Sequence, residues 1–246
     1  NTSNGTKSSI KSGLSANATE YYFAQADDEI YWVNGHDSCF KYDGTTVSAV
    51  TGSNIPSAPK YLTFHKNRLF LVDGTDNTKL TFSELGEYGT FQSTNFIYCP
   101  SPKSGDPITG IKVFQDNLIV FTRSTKYILF GEDPGNFVLR QSSGKKGAVN
   151  QSTIASDPNF VYYLSDDGIW RFNGSSDQLV SDAIQNEVDS IATKTKASAV
   201  IHDNYYRLYY TTQISGVNDG GLLFDTINKL WLRDTGVFVA RPFVTE

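Results

Sequence analysis

The chain has 246 residues, of which 39% are hydrophobic and 13% aromatic, with two cysteines and no methionine. A chain of this length can bury a core without disulfides, and its formal net charge of −5 excludes a global basic surface for nonspecific nucleic-acid binding. No stretch approaches the roughly 20 apolar residues of a membrane helix, so no membrane partner is predicted.

Residues 1–20 are rich in Ser, Thr, Asn and Gly and have few apolar anchors, so we expect a polar N-terminal arm or linker there. Residues 21–246 have the patterning of a folded domain. The missing methionine and the polar arm together lead us to expect that the chain is the folded portion of a longer protein.

A unit of several short strands recurs five times from residue 21 onwards. The first copy reads YYFAQADDEIYWVNG and then CFKYDG, and the second reads YLTFHKNRLFLVDG and then KLTFSELG. The turn residue before each aromatic strand serves as an anchor: Asp28, Asn67, Asn117, Asn159 and Asn204. The anchors are 39, 50, 42 and 45 residues apart. A quasi-period in the forties with several strands per unit is typical of the blades of a β-propeller.

A fourth strand can be placed in most units, which gives four-stranded meanders. The candidates are TVSAV after Asp43-Gly44, TFQS at 90–93, FVLRQ from Phe137, QLV from Gln178 and KLWLRD from Lys229. The sequence therefore predicts an all-β fold, a β-propeller with five four-stranded blades over residues 21–246. An ordinary β-sandwich is the alternative, but a sandwich has no reason to repeat in the forties.

Two segments lie outside the repeat. SDAIQNEVDSI, residues 181–191, places Ile184, Val188 and Ile191 on one helical face, so a short amphipathic helix capped by Ser181 or Asp182 is predicted between the fourth and fifth units. Near the C-terminus, VFVA is one more apolar strand that either completes the first blade or begins a sixth, so both ring sizes stay open.

Candidate chemistry is sparse. His36, His65 and His202 belong to three different units at non-equivalent places, which favours surface or turn histidines over a metal site. Cys39 and Cys99 lie in apolar contexts, where buried free thiols are favoured over one disulfide.

A propeller glycosidase would need two carboxylates that face one bond. All the candidate acids lie in turns, where Asp is common for backbone reasons: Asp27, Asp28, Asp157, Asp166, Asp167 and Asp203. We therefore predict a protein that is not an enzyme, with no catalytic residue, no cofactor and no metal.

The order of the blade motifs resembles a known family. PKYLTFHKNRLFLVDG with LTFSELGEYGTF, DPITGIKVFQDNLIVFTRSTKYILFG, DDGIWRFNG with VSDAIQNEVDSI, and LLFDTINKLWLR are similar to blades of tailed-bacteriophage virion propellers of the tail nozzle and packaged-DNA stabilisation type. The similarity covers residues 59–233, and proteins of the nozzle type are usually much longer.

The resemblance implies a structural role in the virion, in the tail or a tail adaptor. Its expected partners are other virion proteins and copies of itself in a ring, with nonspecific contact to packaged DNA; an acidic surface would let the duplex slide. A host-surface glycan or receptor module is the alternative function, with Tyr88 and Phe96 as candidate interaction residues.

Overall fold

The computed structural model describes residues 9–100, 105–212, 217–239 and 242, which form twenty strands in five four-stranded antiparallel sheets. Each sheet is a meander of four consecutive strands, so neighbours in the chain are also neighbours in the sheet. The five blades form a β-propeller, as the repeat predicts.

The first two blades contain strands β1 to β8. Their bounds are β1 (Tyr22–Ala26), β2 (Glu29–Val33), β3 (Phe40–Tyr42) and β4 (Val47–Ala49) in blade 1, and β5 (Tyr61–His65), β6 (Arg68–Val72), β7 (Lys79–Phe82) and β8 (Phe96–Tyr98) in blade 2.

The other three blades contain strands β9 to β20. Their bounds are β9 (Ile108–Phe114), β10 (Asn117–Thr122), β11 (Lys126–Phe130) and β12 (Val138–Gln141) in blade 3; β13 (Ala155–Ser156), β14 (Val161–Ser165), β15 (Gly168–Phe172) and β16 (Asp177–Leu179) in blade 4; and β17 (Ser198–His202), β18 (Tyr205–Tyr210), β19 (Asn218–Asp225) and β20 (Trp231–Val239) in blade 5.

The chain divides into two compact units. One holds blades 1 and 2 with the segment Glu132–Phe137, and the other holds blades 3, 4 and 5. In the first unit, one face of blade 1 packs on blade 2 through a core that includes Tyr31, Val33, Leu69 and Leu71. In the second unit, blades 3 and 4 share one apolar core, and blades 4 and 5 share another.

Tight turns join the first two strands of most blades. The turn pairs Lys66-Asn67, Gln115-Asp116 and Asp203-Asn204 have positive φ at both residues. Each is the two-residue link of a hairpin whose flanking residues pair in register. This conformation matches the right-handed twist of the strands, and Asn and Asp tolerate it better than most residues.

Other turns are closed by side chains. The Oδ1 atom of Asp43 accepts hydrogen bonds from the amides of Thr45 and Thr46, and Asn173 does the same with the amides two and three residues after it. Asp225 repeats the arrangement in blade 5. These are Asx turns, which explains why Asp and Asn recur at equivalent places in the blades.

The predicted helix is present. A 3-10 turn at Asp182–Ile184 leads into α1 (Gln185–Asp189), and Val188 and Ile191 are buried in the core of blades 4 and 5. Ser181 is the N-cap residue of the 3-10 turn, as one of the two predicted caps, but its side chain makes no capping hydrogen bond. Its hydroxyl accepts a hydrogen bond from the amide of Ile169 and so ties the start of the helix to blade 4.

Two strand predictions are wrong. Residues 90–93 were expected to be the fourth strand of blade 2, but that strand is β8, because residues 84–90 close a turn by backbone hydrogen bonds and Phe91 turns into the core. The predicted strand VFVA is instead the end of β20, where Val239 pairs with Asn218. Its last residue, Ala240, and residues 1–8 of the predicted arm lie outside the described residues.

Candidate functional site

A cleft of about 400 Å³ opens on blade 2, beside the segment 54–57 that links blades 1 and 2. Thr81 of β7 and Phe96 of β8 pair in register, and Leu71 of β6 pairs with Thr81. Because registered residues share a sheet face, Phe96 lies on the same side as Leu71, which belongs to the core shared with blade 1. The cleft is therefore the outward end of the blade 1–blade 2 interface.

Most of the side chains around the cleft are polar. They are Asn54, Ser57, Asp73, Thr75, Gln92 and Ser93, with Ile55, Pro56 and the ring of Phe96 as apolar neighbours. Asp73 and Lys79 contribute one charge of each sign, and the Lys79 ammonium lies 4.7 Å from the centroid of the Phe96 ring. The lining is thus rich in neutral hydrogen-bonding groups around one aromatic ring.

Thr81 is unusual in this lining. Its side chain is 2% exposed, and its Oγ1 atom has no hydrogen-bond partner. A buried hydroxyl without a partner costs roughly 1–3 kcal/mol. Sequence reasoning missed Thr81, since a threonine in an apolar strand ordinarily signals only β propensity.

The two predicted interaction residues have different surroundings. Phe96 is half-buried and lines the cleft. Tyr88 is 7% exposed and belongs to the core between blades 1 and 2, where its ring packs edge-on against Phe64. The Tyr88 hydroxyl donates a 2.9 Å hydrogen bond to Asn67 Oδ1, so this side chain holds a turn against the core.

The three histidines do not converge on one place. His36 is exposed, and His202 is exposed with its Nε2 3.0 Å from Asp203 Oδ2. His65 is only 5% exposed, so of the two expected positions it has the one beside a turn: it is the last residue of β5, directly before the Lys66-Asn67 turn, and its ring lies 6.0 Å from that of Phe70. Within the described ranges, no three His, Cys, Asp or Glu side chains are grouped to hold a metal ion.

The cysteines are buried, as predicted. Cys39 lies in the core between blades 1 and 2, and burial raises the pKa of its thiol to about 12. Cys99 follows β8 and is also buried. The two are not joined in a disulfide.

The candidate glycosidase acids are engaged in turns and ion pairs. Asp157 Oδ1 accepts hydrogen bonds from the amides of Asn159 and Phe160. Asp166 binds Arg123 through both carboxylate oxygens, and the Asp167 carboxylate pairs with Lys146. Asp27 and Asp28 are exposed in the β1–β2 turn.

A second cleft, of about 500 Å³, lies at a loop edge between blades 3 and 4. Asp106 is 7% exposed there; its Oδ1 accepts from the Arg123 amide at 2.9 Å, and its Oδ2 accepts from the Ser124 hydroxyl at 2.5 Å. Arg123 in turn pairs with Asp166. The charged groups around this cleft therefore satisfy one another, and their arrangement fixes the loops.

The most deeply buried ion pair links blade 3 to blade 4. Lys126 Nζ lies 2.6 Å from both carboxylate oxygens of Asp177, and the two side chains are 0% and 4% exposed. Tyr163 donates a 2.7 Å hydrogen bond to Asp177 Oδ1. The Lys126 ammonium also lies 4.4 Å from the ring centroid of Phe172.

Burial opposes the charges of this cluster. Burial lowers the pKa of Lys126, although the Asp177 carboxylate acts in the other direction. Burial and the same carboxylate both raise the pKa of Tyr163. Gly144 makes room for the pair, since a Cβ there would lie 1.5 Å from Asp177 Oδ2. Every polar atom of the pair has a hydrogen-bond partner inside the core, so the pair serves to hold blade 3 against blade 4.

Large apolar side chains are exposed at several places in the described part of the chain, among them the outward faces of the first and last blades. On blade 1, the face opposite the core with blade 2 carries Phe23 at 64% exposure and Ile30 at 43%. Their registered neighbours are uncharged: Gln25, Trp32, Phe40, Tyr42, Val47 and Ala49. An apolar sheet face of this kind is ordinarily covered by another layer.

Blade 5 shows the same feature. Trp231 packs inward on Phe224 and donates a hydrogen bond to the Val180 carbonyl, so its neighbours along the strand point outward. These are Leu232 of β20, at 51% exposure, and Leu230, which directly precedes the strand, at 62%. The outward face of blade 5 thus presents leucines at the edge of its outermost strand.

Comparison with known proteins supports the fold. No protein-family model matches the chain, and no curated protein matches it in sequence. Among solved structures, the chain resembles the computationally designed Ika8 protein, with a TM-score of 0.55 and 11% identity over 87% of this chain and 61% of that one. A streptogramin B lyase gives a TM-score of 0.57 and 10% identity over 89% of this chain and 69% of the lyase.

A chain from a nidogen/laminin complex is also similar, with a TM-score of 0.50, 12% identity, and coverage of 86% of this chain and 77% of that one. At such low identities the likeness shows the fold alone. The chain spans about three fifths of the length of the designed protein. No described helix is long and apolar enough to cross a membrane.

Proposed function

We propose that this protein is a non-enzymatic structural component of a tailed-bacteriophage virion, located in the tail or a tail adaptor, where it assembles with copies of itself and with neighbouring virion proteins. The observation that carries the proposal is the pair of apolar outward faces on blades 1 and 5. The ordered blade motifs, with a helix between blades 4 and 5, support the choice of particle, since that order is what resembles the virion propellers.

The two faces suit assembly because they differ. A contact between the blade 1 face of one copy and the blade 5 face of the next uses two different surfaces, so it is heterologous and repeats until a ring closes. Complete burial would contribute about 1.5–3 kcal/mol for each of four side chains: Phe23, Ile30, Leu230 and Leu232. Both partners of this contact are copies of the same chain.

The net charge suits a place on the DNA path. At −5 overall, the protein does not offer the basic surface that would hold phosphates strongly. Contact with packaged DNA in this proposal is weak and independent of sequence, and the duplex moves past the protein.

Sedimentation velocity over a range of protein concentrations tests the assembly step. We expect the wild-type chain to form oligomers, and Leu232→Glu to shift them towards monomer, because a buried unpaired carboxylate in the contact is costly. Leu85→Glu is the matched control, since Leu85 is 59% exposed in a turn of blade 2 and is part of neither face. A wild-type monomer at all concentrations, or equal effects of both substitutions, would overturn the assembly step.

A further inference from the structure

The cleft on blade 2 has a use that assembly does not require. From its lining, we propose that it is a binding subsite for a neutral saccharide, with Phe96 as the stacking platform. The subsite is a property of blade 2 and does not depend on the virion role.

The ring of Phe96 offers a surface on which a sugar can pack. Pyranose rings present C–H groups that pack on the face of an aromatic side chain, while their hydroxyls need neutral hydrogen-bond partners. Phe96 is half-buried in the cleft wall, and the Lys79 ammonium lies over one face of its ring, 4.7 Å from the centroid. A sugar packs on that face after the Lys79 side chain moves aside. Tyr98, two residues along β8, makes a T-shaped contact with the Phe96 ring, with centroids 5.3 Å apart, which holds the ring in place and reduces the entropy lost on binding.

The lining of the cleft is mostly polar. Gln92 and Ser93 are exposed at the rim, and Asn54 is tied to the same segment, because its amide nitrogen donates to the Phe91 carbonyl at 2.9 Å. That hydrogen bond fixes the orientation of the Asn54 amide and leaves its oxygen directed elsewhere. Amide and hydroxyl groups of this kind both donate and accept, as sugar hydroxyls do.

The third argument is charge and size. The lining has one acid, Asp73, and one base, Lys79, so the cleft has no net charge to select an anion or a cation. Asp73 Oδ1 already accepts hydrogen bonds from two backbone amides of its own turn. A volume of about 400 Å³ lies within the range of small-molecule sites, roughly 300–1,000 Å³. A neutral mono- or disaccharide unit fits these limits.

The fourth argument is Thr81. It lines the cleft, pairs in register with Phe96, and has a hydroxyl with no partner. Rotation about χ1 moves a threonine hydroxyl to another staggered position, and in the proposed bound state the Thr81 hydroxyl points towards the cleft and its sugar partner. An unpaired buried hydroxyl beside a binding ring is thus explained by a bound state that satisfies it.

The test is an array of neutral oligosaccharides built from glucose, galactose, mannose and N-acetylglucosamine, followed by titration calorimetry with the strongest ligand. We expect Phe96→Ala to weaken binding at least tenfold through the loss of the stacking face. Gln92→Ala, which removes a rim side chain without touching the core, is expected to weaken binding about threefold to tenfold. Phe130→Ala is the matched control, because Phe130 is an exposed aromatic residue of blade 3 outside both the cleft and the proposed assembly faces.

The proposal is overturned if no neutral saccharide binds the wild-type protein. It is also overturned if Phe96→Ala and Gln92→Ala both bind within twofold of the wild type, or if Phe130→Ala weakens binding as much as Phe96→Ala does. A far-UV circular dichroism melt of each variant shows whether it is folded. Should Phe96→Ala fail to fold, Gln92→Ala decides the outcome.

Discussion

Breaking the buried pair between Lys126 and Asp177 should cost more stability than any other single ion-pair change in the described part of the chain. Lys126→Met keeps an apolar stem of similar length but removes the ammonium. The Asp177 carboxylate, 4% exposed, then keeps the Tyr163 hydroxyl as its donor and loses both 2.6 Å contacts. Removing one partner of a buried pair costs about 3–5 kcal/mol. For a domain of this size, that corresponds to a fall in Tm of about 6–20 °C.

Urea unfolding followed by far-UV circular dichroism measures this cost. The double variant Lys126→Met/Asp177→Asn removes both charges and keeps an acceptor for Tyr163, so we expect it to recover most of the loss, since an uncharged buried group needs no counterion. Lys41→Met is the matched control. The Lys41–Glu29 pair is 37% and 26% exposed, and such pairs contribute only about 0.2–1 kcal/mol.

Either of two results would show that Lys126 and Asp177 do not stabilise the fold through their charges. One is a Lys126→Met variant that unfolds within about 1 kcal/mol of the wild type. The other is a double variant as unstable as the single one, because the loss would then come from packing and not from an unpaired carboxylate.

Three further predictions concern single sites. The hydrogen bond from Lys41 lowers the pKa of Glu29. The stabilisation by the ionised Glu29 is therefore present above the ordinary pKa of 4.5 and is lost as the pH falls through the lowered value. In thermal melts from pH 6 to pH 3, Glu29→Gln should lose less stability than the wild type. Gly147→Ala should destabilise the protein by about 3 kcal/mol in urea unfolding, because its Cβ would lie 2.0 Å from the Thr122 carbonyl oxygen; a neutral effect would contradict the backbone approach. Tyr88→Phe should cost about 0.5–1.5 kcal/mol and leave saccharide titration unchanged, whereas a loss of binding would place Tyr88 at the ligand.

Much of the fold was predictable because the blades are locally encoded. Each hairpin carries its own turn signal, such as Lys66-Asn67 or Asp203-Asn204, and its strands pair with neighbours in the chain. The helix was predictable for the same reason, since Val188 and Ile191 lie on one helical face. Local patterns therefore gave the five blades and their order.

The errors arise where tertiary contacts outweigh local pattern. Residues 90–93 have strand propensity, but the turn before them closes with its own backbone hydrogen bonds, and the strand forms later, at β8. VFVA has the composition of a separate strand, yet β20 continues through a register shift opposite Asn218 and Gly220 and so absorbs it. The residue types in these segments do not indicate the closed turn or the register shift.

The candidate site was only half predictable. Phe96 stood out as an aromatic residue in a loop context, but the same reasoning chose Tyr88, which packs in the core. Lys126 and Asp177 form an ion pair across 51 residues of sequence, and no pattern in either strand predicts it. Contacts between blades depend on the packing of whole sheets, which single-chain patterns do not encode.

Mass spectrometry of gradient-purified tailed particles, prepared from a lysate in which this chain is expressed, tests the proposed virion role most directly. We expect peptides of the chain to stay with intact tailed particles through the gradient, at a constant ratio to the major capsid protein. Recovery of the chain only in the soluble fraction of the lysate, with none in the particles, would contradict a structural role in the virion.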